Sequence, residues 1–232
     1  MPLTGVTTVT FDADDTLWAF EVGLLAAQRR LREEIVRLTN ETAAVPSVDE
    51  MNATRLSLDS EAGFSETTLD VRRREAIRRS ALDAELHGDS LIDSLFNLYV
   101  STRVANTPLF PDTRPALAAL QGRFQLGVIT NANTDPAELG LSDQFSFVVR
   151  ADAEPYRKPD PRIFQHAASV GGYKLSRSVH IGDSLETDVT GANNAGAISV
   201  WLNRRGDMAD PSASARHVIR SLSELSGLLG VD

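Results

Sequence analysis

The chain has 232 residues, 42% of them hydrophobic and 24% charged, a globular mixture that can bury a proper core and argues against disorder, collagen or coiled coil. Twenty-three basic residues against 32 acidic ones give a formal charge of -9, which speaks against a nucleic-acid binder held by general electrostatics. With no cysteine, disulfides, thiolate catalysis and cysteine-ligated zinc are excluded. No apolar run approaches the roughly 20 residues of a membrane helix, so a cytoplasmic protein without membrane attachment is expected.

Val6 to Phe11 is a short β-branched run ending at Asp12, the pattern of a buried strand. From about Glu21 to Val104 the period turns helical. Leu24, Ala27, Leu31, Ile35 and Leu38 mark one apolar stripe; Leu91, Ile92, Leu95, Phe96, Leu98 and Tyr99 mark another. Val48–Leu58 and Thr67–Leu86 also read as helical, so this stretch is expected to be a separate all-helical unit. After Pro108 and Pro111, strands alternate with helices. Strands are expected at Gln125–Thr130, Ser146–Val149, Ser178–Ile181, Ile198–Leu202 and, weakly, His217–Ile219. Asp135-Pro136 and Asp160-Pro161 read as helix starts, Asp capping and Pro taking the first turn. Such alternation implies α/β architecture, a doubly wound parallel sheet covered on both faces. The expected division is a core from residues 1–18 and 106–232, with an inserted helical unit at 19–105.

In such sheets ligands bind beyond the carboxyl ends of the strands. There the sequence places Asp12-Ala13-Asp14-Asp15-Thr16, Thr130-Asn131, and Gly182-Asp183-Ser184 with Asp188 shortly after. Lys158 lies in the connection after the third strand, in Arg157-Lys158-Pro159-Asp160-Pro161, and only Lys174 shares its residue type among the 23 basic side chains. Asp12 and Asp14 face the same way if the extended geometry persists, and two carboxylates that close stay ionised only with a cation between them or with one protonated. An all-oxygen site would suit Mg2+; a plain acidic turn at a strand end fits the residues equally well. A compact ammonium serves a phosphate or a carboxylate differently from a guanidinium fork, although a lysine between prolines also suits an exposed loop.

Taken jointly and in order, Phe11-Asp12-Ala13-Asp14-Asp15-Thr16-Leu17, Ile129-Thr130-Asn131, Lys158-Pro159-Asp160-Pro161 and Ile181-Gly182-Asp183-Ser184 through Asp188 resemble the four motifs of the haloacid dehalogenase superfamily. The inserted helical unit matches that family's cap by position, size and helicity alone. The resemblance implies Asp12 as nucleophile, Asp14 as acid and base, and Lys158 neutralising charge. It implies Thr130 and Asn131 on the phosphoryl oxygens, and Mg2+ held by Asp12, the Asp14 carbonyl, Asp183 and Asp188. The function implied is a Mg2+-dependent phosphatase acting on a small phosphorylated metabolite through an aspartyl-phosphate. A phosphomutase, a 2-haloacid dehalogenase and a non-catalytic phosphoacceptor or binding protein are the alternatives. Asp14 favours phosphate chemistry, since the family's dehalogenases lack an acid at that place.

Among the remaining features, Arg72, Arg73, Arg74, Arg78 and Arg79 read as a solvated helix face paired with Glu66, Asp70, Glu75 and Asp83. Trp18 is expected to pack where the chain enters the helical insertion, and His180 to be a core residue of its strand.

Overall fold

A computed structural model describes residues 2–42, 44–64, 67–207 and 215–231. Six strands form one all-parallel sheet: β1 (Thr8–Phe11), β2 (Gln125–Thr130), β3 (Phe147–Arg150), β4 (Ser178–Gly182), β5 (Ile198–Leu202) and β6 (His217–Ile219). Their order is β3-β2-β1-β4-β5-β6. Every residue of β1 and of β4 is buried, as a parallel sheet covered on both faces requires. That is why these strands read as unbroken apolar or β-branched runs rather than alternating ones. β3 lies one residue later than its expected span.

Helices α5 (Thr113–Leu120), α6 (Pro161–Gly171), α7 (Gly191–Ala195) and α8 (Leu225–Leu229) belong to the same unit as the sheet. Asp160 caps α6 by accepting the Arg162 N–H at 2.9 Å, and Pro161 fills the first position, whose N–H needs no helical partner. Asp135-Pro136 uses the same device, but only the four-residue 3-10 turn Pro136–Leu139 follows, because Gly140 turns left-handed and ends it.

The chain divides into two compact units, Met1–Ala19 with Leu109–Asp232, and Phe20–Pro108; the cuts fall at 19/20 and 108/109, against the expected 18/19 and 105/106. Among its described residues the second unit is helical: α1 (Phe20–Thr39), α2 (Val48–Ser57), α3 (Leu69–Asp83) and α4 (Asp89–Ala105). α2 opens on a reciprocal cap, Ser47 accepting from the Glu50 N–H and Glu50 from the Ser47 N–H. Ala27, Leu31, Ile35, Ile77, Ile92, Leu95 and Tyr99 form its core. Gly23 lets α1 and α4 close up, since a Cβ there would lie 2.6 Å from the Arg103 carbonyl oxygen. Leu38, expected on the buried stripe, is exposed in the last turn of α1.

The arginine-rich helix α3 corrects one expectation. Arg72 and Arg73 are buried rather than solvated. The Arg72 guanidinium donates to the carbonyls of Phe64 and Thr67 and pairs with Asp59, partners from the preceding loop instead of the helix surface. Arg74 turns to Asp93, and Arg78 and Arg79 share Glu75, with Arg79 also reaching Glu61. Glu66 lies outside the described residues.

Candidate active site

Because β1 is flanked by β2 and β4, the strand order reverses between β1 and β4, and a crevice opens beyond the carboxyl ends at such a switch point. The sequence delivers its unusual side chains there. The Asp12 N–H donates to the Ile181 carbonyl at 2.8 Å, extending the pairing with β4 one residue past the end of β1. β4 ends on Gly182, where a Cβ would sit 2.2 Å from the carboxyl carbon of Asp188, so the approach of Asp188 needs a glycine. The next residues form a π-helical turn, Leu185–Thr190, opened by Ser184, whose hydroxyl accepts the Thr187 N–H. Short π turns recur at functional sites. This one carries Asp188 back against Gly182 at the end of β4.

Lys158 arrives from the connection between β3 and α6. Asn131, just past β2, holds it in place: its carboxamide donates to the Lys158 carbonyl and accepts the Lys158 N–H, each at 2.8 Å. The result is an ammonium whose Nζ stands 2.5 Å from Asp12 Oδ1 and 2.5 Å from Asp188 Oδ1. Asp12, Lys158 and Asp188 are all buried. Asp188 Oδ2 also accepts the Ser184 N–H at 3.0 Å. His180 lies 3.2 Å from Asp188 through Nε2 and 3.0 Å from the Thr10 hydroxyl through Nδ1. Burial pushes the His180 pKa down, so the neutral ring donates Nε2–H to Asp188 and accepts from Thr10.

The charges of this cluster are coupled. Burial opposes the Lys158 ammonium, but Asp12 and Asp188 outweigh it and hold the lysine protonated well above its usual range. Burial likewise opposes ionisation of Asp188, yet Lys158 and the His180 hydrogen bond hold its carboxyl well below the usual range. Burial raises Asp12, against the pull of Lys158 and with the push of Asp188. Asp183 is pushed up to about 7 by desolvation and by the negative charges of Asp12, Asp188 and Asp15. Since Asp183 keeps an exposed surface, crowding by like charge is the firmer of these causes.

Oxygen atoms of Asp12, Asp183 and Asp188 lie within 4.8 Å of one another. With all three carboxylates ionised against the one ammonium, two negative charges would stand together, which is what holds the Asp183 pKa up, and the donors are all hard oxygens. A divalent hard cation such as Mg2+ fits both the charge and the donor set. The Asp14 side chain is outside this group.

Asp14 is instead oriented by Trp18, whose indole N–H donates to Asp14 Oδ1 at 2.7 Å. Trp18 is fully buried and its carbonyl accepts the Asp15 N–H at 2.8 Å, while Asp15 itself takes a left-handed φ of 56°. Arg204 fixes the far side of this loop, donating to the Thr16 carbonyl at 2.9 Å while bridging both oxygens of Asp112. Thr130 stands at the end of β2, its hydroxyl accepting the Ala132 N–H at 3.1 Å. The structure therefore joins Asp12, Lys158, Asp183 and Asp188 directly. It ties Asn131 to the Lys158 main chain, so the side chain expected on substrate has a holding task as well.

Sequence reasoning missed the service of His180 to Asp188, of Trp18 to Asp14, and of Trp201, whose indole N–H donates to the Asp183 carbonyl at 2.9 Å. An apolar strand position gives no sign of a hydrogen-bond partner eight residues away. The only available hint for Trp18 was its place four residues after Asp14.

The chain matches the haloacid dehalogenase-like hydrolase family over residues 6–196. It is similar to N-acylneuraminate-9-phosphatase of Rattus norvegicus, 29% identical with 99% of this chain and 96% of the relative covered. It is also similar to 5-amino-6-(5-phospho-D-ribitylamino)uracil phosphatase YigB of Escherichia coli, 29% identical over 89% of this chain and 88% of the relative. Among solved structures, a 2-haloacid dehalogenase from Pseudomonas syringae pv. Tomato DC3000 superposes with a TM-score of 0.84 at 32% identity, covering 97% of this chain and 98% of that one.

Proposed function

Since the chain belongs to the haloacid dehalogenase-like hydrolase family, we propose that it is a Mg2+-dependent phosphatase of small phosphomonoesters that works through an aspartyl-phosphate. The observation that carries this reading is the buried Asp12 carboxylate, held at 2.5 Å by Lys158 beside Asp183 and Asp188, with Asp14 two residues on. Asp12, Asp183, Asp188 and the Asp14 carbonyl would hold the cation. When bound, Mg2+ supplies positive charge that offsets repulsion between an anionic nucleophile and an anionic phosphate.

The residues of the chain divide the remaining tasks. Lys158 draws charge from the attacking oxygen of Asp12 and from the phosphoryl group. The Thr130 hydroxyl and the main-chain N–H of Asn131 hydrogen-bond the phosphoryl oxygens, while the Asn131 carboxamide keeps Lys158 aimed. Asp12 attacks phosphorus and the ester oxygen leaves with a proton from Asp14. Asp14 then takes a proton from water as that water attacks the acyl-phosphate, and Asp12 is restored. Phosphatase-named relatives over nearly the whole chain support the substrate class.

The dehalogenase reading rests on the 32% identical structural relative. It leaves Asp14 without its acid task, because a halide departs without a proton. A panel of phosphomonoesters and 2-haloacids, assayed with Mg2+ and with chelator, tests both. Phosphate release that chelator abolishes, and that Asp12→Asn lacks, is the expected result. Halide release, or phosphate release indifferent to Asp12, would overturn the proposal.

A further inference from the structure

We propose that Trp18 is a positioning residue for the proton transfer, fixing the Asp14 carboxyl so that one oxygen accepts the indole N–H and the other carries the travelling proton. This rests on the phosphatase reading above and adds to it a residue that spacing did not identify. The geometry is specific. Trp18 is fully buried, so its only ring donor must find an acceptor inside the protein, and it finds Asp14 Oδ1 at 2.7 Å. The Trp18 main chain is in turn paired with Asp14 and with Leu109. A buried donor on a paired backbone holds the plane of the Asp14 carboxyl.

The chemistry follows from that plane. In a protonated carboxyl the oxygen that accepts the indole N–H is the carbonyl-type oxygen, which leaves the hydroxyl proton on Oδ2. As the bond from phosphorus to the ester oxygen breaks, its electron pair goes to that oxygen, which takes the proton from Oδ2. The alcohol departs and Asp14 is a carboxylate. In the second half, water attacks phosphorus, its proton returns to Oδ2, and the bond from phosphorus to Asp12 breaks. Phosphate is released with both aspartates as they began. Trp18 touches no reacting atom in either half, and it keeps the same oxygen facing the substrate through both.

A role in aiming a proton has a signature that a role in folding lacks. Esters with alkyl leaving groups need the proton from Asp14, whereas 4-nitrophenyl phosphate expels an anion that does not. Trp18→Phe keeps the ring and removes the donor. The expected result is a fall of about tenfold in kcat/KM for an alkyl phosphate, and less than about twofold for 4-nitrophenyl phosphate. Equal falls on both esters, or none on either, would overturn the proposal while leaving the phosphatase reading intact. A parent enzyme that turns over neither ester removes the phosphatase reading and this one with it.

If Trp18→Phe does not fold, the parent protein offers a second measurement. The chain has two tryptophans, so its nitrogen-15 NMR spectrum holds two indole signals. The Trp18 signal should lie downfield and shift in Asp14→Ala, while the Trp201 signal, tied to the Asp183 carbonyl, stays. An unshifted Trp18 indole in Asp14→Ala contradicts the proposal.

Discussion

The two units of this chain both bury cations, and they do so for opposite ends. In the helical unit, buried Arg72 is satisfied by nearby loop carbonyls and Asp59, while the partly exposed Arg78 and Arg79 share Glu75 three and four residues away and Arg79 also reaches Glu61 within the same unit. These partners are local, and the charges balance among themselves. In the α/β unit Lys158 meets Asp12 from 146 residues away and Asp188 from 30, and the cluster is left short of positive charge. Local pairing builds a scaffold, whereas charge gathered from distant segments and left unbalanced marks a place where something else binds. Burying such an excess is costly, so it persists only where chemistry uses it.

The sharpest way to break this contrast is at Asp12. Asp12→Asn should lower kcat by on the order of a thousandfold or more while leaving the thermal unfolding midpoint near that of the parent; steady-state kinetics and calorimetry read the two effects. Lys158→Met should damage both. It leaves Asp12 and Asp188 facing each other without their shared cation, and the expected destabilisation is about 3–5 kcal/mol by denaturant unfolding. Added Mg2+ should raise the unfolding midpoint of the parent more than that of Asp183→Asn, because a ligand that binds only the folded state stabilises it in proportion to its affinity.

A smaller effect is expected at Asp112. Burial opposes its charge, but Arg204, the Ser221 hydroxyl and the Leu222 N–H hold its carboxyl below the usual carboxylate range. A lowered folded pKa stabilises above the ordinary value of about 3.9. That stabilisation is lost as pH falls through the folded value. Asp112→Asn should therefore cost about 1–2 kcal/mol at pH 7. The gap from the parent should close as the pH is taken towards 2. The smallest effect belongs to the helical unit: Arg79→Ala should lower the unfolding midpoint slightly, lose even that difference in high salt, and leave kcat unchanged.

How far the sequence spoke differs between the units in the same way. β2, β5 and β6 have the spans that periodicity and β-branched runs suggest, and β1 is shortened by two residues at its start. The acidic, threonine and lysine positions were legible because strand ends in a parallel sheet share one edge. The sheet order was not legible, since which strand neighbours β1 depends on crossovers that no local pattern encodes. Nor was the service of Asn131 to Lys158, which requires knowing that two loops 27 residues apart run side by side. In the helical unit the stripes located α1 and α4, and the segments Val48–Leu58 and Thr67–Leu86 located α2 and α3. They did not reveal that Arg72 and Arg73 are buried, because a long cationic side chain can fold back to carbonyls that helical spacing does not show.

Trp18 and Leu109 are bridged antiparallel, so the two points where the α/β unit is interrupted are neighbours in space. The sheet is thus closed without help from what is threaded between them. An intervening segment of almost any length can be spliced there at little entropic penalty, since loop closure grows only logarithmically. Excising Phe20–Pro108 and joining the cut ends with a short turn should yield a miniature hydrolase core with Lys158 still seated on Asp12. The segment between becomes an exchangeable cassette, free to diverge while the chemistry stays put.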